Sequence, residues 1–508
     1  MQQPVPPISS YLTKVYTFAT IVFGVGLVLL TGCSGPTTTR SAEQPKQFAS
    51  VSLTVRCPDA AFAEAIEPMV RVWAARTGAT VAFKREPMTT TDDTDVGVIP
   101  VGGLGEWADA GLIVPLPHRL QASDNPFQWS TLLLPYQRLA SWGEQTQAVP
   151  LAGDGFVIVY RADRLNEKTA ELNKPGRALV PPATWEDFAE VAAFFAARDG
   201  KPSLPPLPDP DRLFDLFSRI ASCFGRKAQG SNPTAQKGTV PKGTVDGTVD
   251  VLAFHHLVSN GKPRLNTAGF LETANWFADL HAKKCFPPTG TPDDPVAALA
   301  EGRAVIAVLS LDQLARLPRE NGVVPPRFAL APLPGSRKVH RQDGTVAEVS
   351  PPNYVPHFAG GRLGVVRTRC QHQDAAFDLL AELGGPARSA ELISTPGLGA
   401  GPFRVAHLDR DRLLIWLGYS FDEERSKALQ DAMRQYIGQT VQNPTFGLRG
   451  PDRGALTVAA ADAIREIGNG KVKPADGLKQ AEEAWLALDK KTPDDILKRQ
   501  RQRAAGLP

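Results

Sequence analysis

The chain alternates short β-strands with an amphipathic helix near its beginning, and this order restricts the fold more than any other feature. In SVSLTVRC, residues 50–57, apolar side chains occupy every second position, which is typical of a strand. Residues 60–78 repeat apolar side chains with helical spacing and end at a glycine, and two further apolar stretches follow at 79–85 and 94–101. A strand, a crossover helix and another strand at this spacing predict a parallel sheet.

The same alternation restarts at Pro150 and continues to a C-terminal third that is mostly helical from about Asp422. The chain has 508 residues, which is more than a single hydrophobic core normally organises. Two separate runs of strands and helices therefore predict an α/β protein of two lobes.

The first residues have the parts of a secretory leader. A polar start precedes an apolar run from Val15 to Leu30, which is shorter than the ~20 residues of a membrane span, and small residues lead up to Cys33. LTGC resembles the lipobox of bacterial lipoproteins; the alternative is an uncleaved signal anchor with an incidental cysteine. We expect residues 1–32 to be removed, Cys33 to carry a lipid that holds the protein on a membrane, and residues 33–49 to form a tether.

Composition and motifs exclude several classes of function. The formal net charge is +3 and no basic stripe appears, so nucleic acid is not an expected partner. The sequence lacks His-Glu-x-x-His, Gly-x-Ser-x-Gly and Cys-x-x-Cys. We therefore expect no metal, no cofactor and no catalytic site, and the protein is predicted not to be an enzyme.

A series of short phrases stands in a distinctive order along the chain. They are RTGATV (76–81), WADAGLIVPLP (107–117), AVPLAGDGFVIVYRADRL (148–165), ATWEDFAE (183–190), GKPRLNTAGFLETANWF (261–277), AALAEGRAVIAVLS (297–310), APLPG (331–335), GGRLGVV (360–366) and GAGPFR (399–404). In this order they resemble the extracellular solute-binding proteins of ABC transporters, in particular the carbohydrate-type family that includes maltose-binding protein. The resemblance extends from about Ser50 to Leu488.

The resemblance implies a periplasmic-binding-protein fold of type II, with a ligand cleft between two lobes that crossing hinge segments join. The predicted first lobe comprises residues 50–150 and 358–408, and the second comprises 151–357 and 409–490. Residues 491–508 are predicted to be a C-terminal tail. Such lobes open and close about a ligand that contacts both of them.

Open α/β sheets bind ligands at the carboxyl ends of their strands, and this rule selects the candidate cleft residues. They are Gly102, Gly103, Asp154, Asp312 and Arg404, with Trp107, Trp142 and Trp276 as stacking surfaces. Maltose-type relatives carry aromatic and charged residues where this chain has the two glycines. A loop of backbone amides would suit a carboxylate or phosphate, with Arg404 as its partner, so sugar and anion both remain candidate ligands.

The predicted function is capture of a small polar solute, a carbohydrate in the favoured interpretation, and its delivery to the permease subunits of an ABC importer. We expect a monomer outside the cytoplasm, attached to a bacterial membrane. Two alternatives stay open: a sensor or structural lipoprotein without transport, and a hydrolase on the same scaffold.

Four cysteines remain in addition to Cys33. Cys223 and Cys285 both fall in the predicted second lobe, whereas Cys57 and Cys370 fall in the first. Because an exported protein can oxidise its thiols, the sequence predicts a disulfide between Cys223 and Cys285.

Overall fold

The structure is a computed structural model that describes most of the chain after the predicted tether. The described residues are 46–173, 179–225, 254–257, 259–288, 294–341, 343–437 and 444–507. The predicted leader, Cys33 and the tether up to residue 45 lie outside them. None of the helices in these ranges combines the length and hydrophobicity that a membrane span requires.

Strands and helices alternate through the first two thirds, and helices dominate the rest. The strands are β1 (Ser52–Arg56), β2 (Thr80–Lys84), β3 (Val96–Pro100), β4 (Ser141–Trp142), β5 (Gln145–Thr146), β6 (Val149–Ala152), β7 (Phe156–Arg161), β8 (Ile306–Ser310), β9 (Phe328–Ala331), β10 (Ser336–His340), β11 (Val346–Asn353), β12 (His357–Phe358), β13 (Arg362–Val366) and β14 (Thr445–Phe446). The helices are α1 (Ala60–Thr77), α2 (Leu104–Asp109), α3 (Leu134–Leu139), α4 (Ala162–Asn166), α5 (Thr169–Leu172), α6 (Trp185–Asp199), α7 (Pro210–Gly225), α8 (Ala268–Ala282), α9 (Pro295–Ala300), α10 (Leu311–Leu314), α11 (Gln373–Gly384), α12 (Pro386–Ile393), α13 (Leu413–Leu417), α14 (Glu423–Ile437), α15 (Arg453–Gly468), α16 (Pro474–Asp489) and α17 (Asp494–Ala504).

The first lobe is organised by a five-stranded sheet with the order β2-β1-β3-β13-β6. Strand β1 runs parallel to β2 and β3, as the sequence predicts, whereas β13 is antiparallel to both β3 and β6. Helices α1 and α11 pack together, with α1 against β2 and α11 against β6 and β13.

Helix α1 shows how local sequence produces one of these elements. Its N-cap, Asp59, accepts a hydrogen bond from the backbone N–H of Phe62, and Gly78 ends the helix in the left-handed conformation with φ of 84°. The apolar face that includes Phe62, Ile66 and Trp73 is fully buried. Burial of that face attaches the helix to the sheet.

The second lobe contains a three-stranded antiparallel sheet with the order β8-β7-β9. Helix α14 packs on β7 and β9, and α9 packs on β8. Helices α7, α8, α15 and α16 pack against one another as a helical layer. The alternation of hydrophobic strands and amphipathic helices thus produces two sheets, each with its own helices.

The chain passes between the two sheets at the places where the lobes meet. Strand β6 of the first sheet is followed by β7 of the second, with only residues 153–155 between them. Strand β12 precedes β13 of the first sheet and pairs in parallel with β14, which precedes α15. The described residues from 46 onward form one compact unit.

The structure corrects the predicted disulfide. Cys223 and Cys285 are both buried free thiols, and so are Cys57 and Cys370. The Cys223 sulfur lies 3.7 Å from the carbonyl oxygen of Val355, whereas the Cys285 sulfur lies 3.9 Å from that of Lys283. Burial raises the pKa of each of these two thiols to about 11, which keeps them protonated. Membership of one lobe did not bring the two cysteines together.

Candidate ligand-binding site

An ion pair marks the edge of the first sheet that faces the second lobe. Asp59 follows β1, and Arg362 begins β13 opposite Pro100, the last residue of β3. The Arg362 guanidinium donates to the Asp59 carboxylate, with Nε 3.0 Å from Oδ2. Burial alone would raise the pKa of Asp59, but Arg362 and the Phe62 amide outweigh it and lower the pKa below its ordinary value. The carboxylate therefore stays ionised.

Two further ion pairs lie at helix beginnings in the second lobe. Arg453 starts α15, and its Nη2 lies 3.3 Å from Oδ2 of Asp211 in the first turn of α7. The next residue, Arg212, points its Nη2 toward Oδ2 of Asp312 at 3.6 Å. Asp211 keeps 55% of its side chain exposed and Arg212 keeps 50%. Their hydrogen-bonding capacity is therefore still available to a ligand.

The lobes approach each other at two of these side chains. A Cβ atom on Gly102 would lie 2.5 Å from Nε of Arg453, and one on Gly399 would lie 3.1 Å from Cβ of Asp312. Gly102 and Gly103 form a 3₁₀ turn directly after β3. These two approaches mark the candidate ligand cleft, and the glycines let the second lobe come close.

Three acid–base pairs stand at the strand ends and helix beginnings of this candidate cleft: Asp59–Arg362, Asp211–Arg453 and Arg212–Asp312. We call them the cleft pairs. The three carboxylates accept hydrogen bonds and the three guanidinium groups donate them, and Asp209, 3.6 Å from Nε of Arg212, adds a further carboxylate. Such a surface can bind a polar molecule without selecting a strong net charge. Of the residues predicted as ligand contacts, Gly102 and Asp312 stand at the two approaches and Gly103 is next to Gly102; their contact with a ligand stays a prediction.

Asp154 lies at the hinge and is buried, with only 6% exposure. Its Oδ1 accepts hydrogen bonds from the hydroxyls of Tyr136 at 3.0 Å and Tyr436 at 2.8 Å. Its Oδ2 accepts from the Gly360 amide at 2.9 Å and from Arg219 at 3.2 Å. The predicted ligand contact is corrected: the carboxylate is already occupied by groups from both lobes.

Arg219 is the cation of this buried group, which we call the hinge cluster and which comprises Asp154, Tyr136, Tyr436, Arg219 and Asp215. Its guanidinium also contacts Asp215 at 2.9 Å and lies 4.0 Å from the ring centre of Phe156. Burial by itself would raise the pKa of Asp215, but the charge of Arg219 and the nearby His357 lower it to about 2. The hinge cluster therefore keeps its charges paired inside the protein.

Arg404 is also corrected as a ligand contact. It is only 1% exposed, and burial lowers its pKa to about 10. Its guanidinium donates to the carbonyl oxygens of Gly384 at 2.6 Å and Phe127 at 2.9 Å, and to the Thr131 hydroxyl at 2.6 Å. Because its donors bind the protein itself, Arg404 stabilises the first lobe and cannot pair with an anion in the cleft.

The three tryptophans proposed as stacking surfaces are all buried. The Trp107 ring lies beneath the Arg367 guanidinium, 4.9 Å from its centre, and Trp142 packs against Gly105. The indole N–H of Trp276 donates to the Trp185 carbonyl at 3.0 Å. Core packing, rather than ligand stacking, is the role that these contacts support.

Sequence reasoning missed most of the cleft pairs. Asp59 and Arg362 stand at strand ends on the ligand edge of the sheet, so the rule that selected Gly102 would have found them too. Asp211 and Arg453 stand at helix beginnings, and only the packing of α7 beside α15 brings them together. That contact joins positions far apart in the sequence and leaves no local pattern.

Comparisons with known proteins agree with this architecture. The profile of the bacterial extracellular solute-binding protein family matches residues 70–409. A comparison with curated protein sequences returned no match.

Among solved structures, maltose-bound MalE3 of T. maritima is 15% identical, with a TM-score of 0.60 over 86% of this chain and 100% of that one. The cyclic α-maltosyl-1,6-maltose binding protein of Arthrobacter globiformis is also 15% identical, with a TM-score of 0.61 over 87% and 100%. A solute-binding protein of Agrobacterium radiobacter in complex with ribitol has 15% identity and a TM-score of 0.59 over 87% and 100%. These likenesses establish the two-lobed fold. Because the family profile spans well over half of the chain, the protein belongs to the bacterial extracellular solute-binding proteins.

Proposed function

We propose that this protein captures a small, neutral, polyhydroxylated solute, a carbohydrate or polyol, in the inter-lobe cleft and delivers it to an ABC importer. The observation that carries the proposal is that each guanidinium group of the cleft pairs faces a carboxylate. Sugar hydroxyls both donate and accept hydrogen bonds, so alternating carboxylates and guanidinium groups match them. The three structural neighbours described above bind maltose, cyclic α-maltosyl-1,6-maltose and ribitol.

The alternative ligand is an anion held by the glycine loop and Arg404. The structure leaves no available guanidinium group at Arg404 to pair with it. Arg404 is buried against backbone carbonyls, and the arginines of the cleft pairs each face a carboxylate. A phosphate or carboxylate would have to compete with those aspartates for the same guanidinium groups. Neutral hydroxyls can bind beside both partners.

The proposed activity is binding without covalent chemistry. The family that the chain belongs to consists of binding proteins. Closure of the lobes on the solute would then be a shift in the population of two arrangements, driven by contacts to both walls of the cleft. The lobe boundaries at residues 150 and 357 and the monomeric state are part of this proposal.

We expect a neutral sugar or polyol to raise the thermal transition of the protein. The panel is maltose, ribitol and tagatose beside citrate and spermidine, each at low salt and at about 0.5 M NaCl. Neutral hydrogen bonds are little screened by salt, so the shift should survive at the higher concentration. Asp312→Asn and Arg453→Gln should each weaken binding of the active sugar about 10- to 100-fold in calorimetry, because each removes a hydrogen bond to a charged group.

Asp462→Asn is the matched control, since Asp462 is an exposed aspartate of α15 paired with Arg465 outside the cleft pairs. It should bind the sugar as the wild type does. Stabilisation by citrate alone, lost at high salt, would contradict the neutral-solute proposal. If Asp312→Asn and Arg453→Gln bind the sugar as tightly as Asp462→Asn does, the cleft pairs are not part of the binding site.

Membership of an extracellular family implies a location outside the cytoplasm. The proposal adds a lipid anchor at Cys33, on the strength of the LTGC sequence. Cys33→Ser should leave a precursor that keeps residues 1–32 and incorporates no radiolabelled fatty acid, whereas the wild type is shortened and labelled. Normal cleavage and membrane retention of the serine variant would refute the lipobox interpretation.

A further inference from the structure

The C-terminal helix α17 contacts both lobes. Residues 491–508, predicted as a tail, are helical from Asp494 to Ala504, and this helix packs against α2 of the first lobe. On the other side it is bound to residues that flank α15 and α16 of the second lobe. Each set of contacts has a different character.

The second-lobe contact is a buried anchor. Arg501 is only 4% exposed and lies between two carboxylates of the second lobe. Its Nη1 is 2.9 Å from Oδ1 of Asp452, and its Nη2 is 3.0 Å from Oδ1 of Asp489. A buried cation with two carboxylate partners cannot leave without exposing unpaired charges, so α17 stays with this lobe.

The first-lobe contact is smaller and partly exposed. Gln500 donates to Oδ2 of Asp109 at 2.7 Å, and Arg503 lies 3.3 Å from Oδ1 of the same residue. The Gly143 amide donates to the Arg503 carbonyl at 2.9 Å. Arg503 keeps 38% of its side chain exposed. Asp109 keeps 14%. Water can replace the hydrogen bond of the exposed Arg503 side chain at modest cost, so the Asp109 contact is easier to release than the Arg501 anchor.

Arg449 reinforces the same junction. It follows β14 and donates to the carbonyl oxygens of Leu139 and Ser141 in the first lobe, both at 3.1 Å. Its other terminal nitrogen donates to the carbonyl of Ala504 at the end of α17. The buried guanidinium of Arg449 therefore links the chain crossing after β14 to the first lobe and to the C-terminal helix.

The two contacts of α17 lie beside the point where the lobes approach each other. Asp452 directly precedes Arg453, whose guanidinium covers Gly102. Asp109 ends α2, which begins directly after Gly103. A motion that separates Gly102 from Arg453 must also pull α17 away from Asp109 or from Asp452.

We propose that α17 is an interlobe clasp: Arg501 anchors it to the second lobe, and Gln500 and Arg503 hold Asp109 of the first. The clasp favours the arrangement of the lobes described above, so the cleft opens less often than the hinge alone would allow. It regulates the cleft of the proposed binding function and rests on it for its biological purpose. Its test requires no ligand, and failure of the sugar screen leaves its outcome unaffected.

The test measures the distance between the lobes in ligand-free protein. Spin labels are attached through Val72→Cys on α1 and Val458→Cys on α15, both at exposed positions. The native thiols at 57, 223, 285 and 370 are buried. Double electron–electron resonance then reports the populations of short and long distances for each variant.

Arg503→Ala should raise the ratio of open to closed molecules by up to about fivefold, the effect of losing one partly exposed ion pair. Asp109→Ala removes the partner of both Arg503 and Gln500 and should raise the ratio about tenfold. Combining the two substitutions should add little to Asp109→Ala, because they break the same contact. Added salt should open the wild type and leave Asp109→Ala unchanged.

Arg499→Ala is the matched control: it removes the same charge from an exposed position of the same helix. Its distance distribution should equal that of the wild type. If Arg503→Ala and Asp109→Ala also match the wild type while circular dichroism shows them folded, the clasp is wrong. If Arg499→Ala shifts the distance distribution as much as Arg503→Ala does, the shift comes from the loss of a positive charge in general and not from the clasp. That result would overturn the proposal as well.

Discussion

Arg219→Met should destabilise the protein by about 3–5 kcal/mol, the largest effect that we expect from a single substitution. The guanidinium lies among Asp154, Asp215, the Tyr436 hydroxyl and the His357 carbonyl, at 2.6 to 3.2 Å. Methionine fills a similar volume but leaves two carboxylates in the interior without their cation. The unfolding free energy in urea at neutral pH measures the loss.

Arg316→Met is the matched control, since Arg316 pairs with Asp294 at 2.7 Å with half of its side chain exposed. It should cost less than about 1 kcal/mol. Adding Asp215→Asn to Arg219→Met should recover part of the loss, because it neutralises one of the stranded carboxylates. A loss for Arg219→Met no greater than that of the control would show that the hinge cluster does not depend on its charge pairing.

Lowering the pH from 7.5 to 5 should cost the protein about 2 kcal/mol of stability through His407 alone. Burial, with the charges of Arg404 and Arg412, lowers the pKa of His407 to about 3. Its Nδ1 accepts from the Phe403 amide at 3.3 Å, and its Nε2 lies 3.1 Å from the Ser389 hydroxyl, an arrangement that requires the neutral ring.

The sign follows from the difference between the folded and unfolded states. The folded pKa lies below the unfolded value of about 6.5, so the unfolded chain binds more protons between these values. The contribution is therefore complete above pH 6.5 and is lost as the pH falls toward 3. Burial also lowers the pKa of His255 and of His256 well below the ordinary histidine value. The total stability that the wild type loses between pH 7.5 and pH 5 should therefore exceed the part that comes from His407.

The His407→Gln substitution isolates the part of this stability loss that comes from His407. Urea unfolding at pH 7.5 and at pH 5 should show a decline that is about 2 kcal/mol smaller in the glutamine variant than in the wild type. His118→Gln, which removes an exposed histidine, should keep the wild-type decline. An equal decline in all three proteins would mean that His407 accepts its proton in the folded state.

Much of the fold could be predicted from the sequence, because its signals are local. The apolar face of α1, its glycine stop and the strand alternation before it each depend on neighbours within about a turn. The start of α6 is equally local, because the Thr184 hydroxyl accepts from the Asp187 amide three residues further on. The order of family phrases predicted the solute-binding family, which the family profile confirms.

The candidate site was predicted only in part. Gly102 and Asp312 lie where the two lobes approach each other, and their role in ligand binding stays a prediction. The predictions about arginine side chains were incomplete in two ways. Arg404 was predicted as a ligand contact but is buried against Phe127 and Gly384, whereas Arg212 and Arg453 were not predicted at all. Sequence shows which residue has a charge, but not whether the rest of the chain covers it.

The sequence by itself determined the two α/β runs, the bounds of β1, α1, β2 and β3 to within a few residues and the membership of the family. Tertiary structure alone decided which polar groups stay exposed and which form hydrogen bonds inside the protein. Asp154 accepts hydrogen bonds from Tyr136, 18 positions away in the sequence, from Arg219, 65 positions away, and from Tyr436, 282 positions away. Gln500 reaches Asp109 across 391 positions. The physical reason is that secondary structure arises from neighbouring residues, whereas burial of a charge is stable only when distant segments bring its partners.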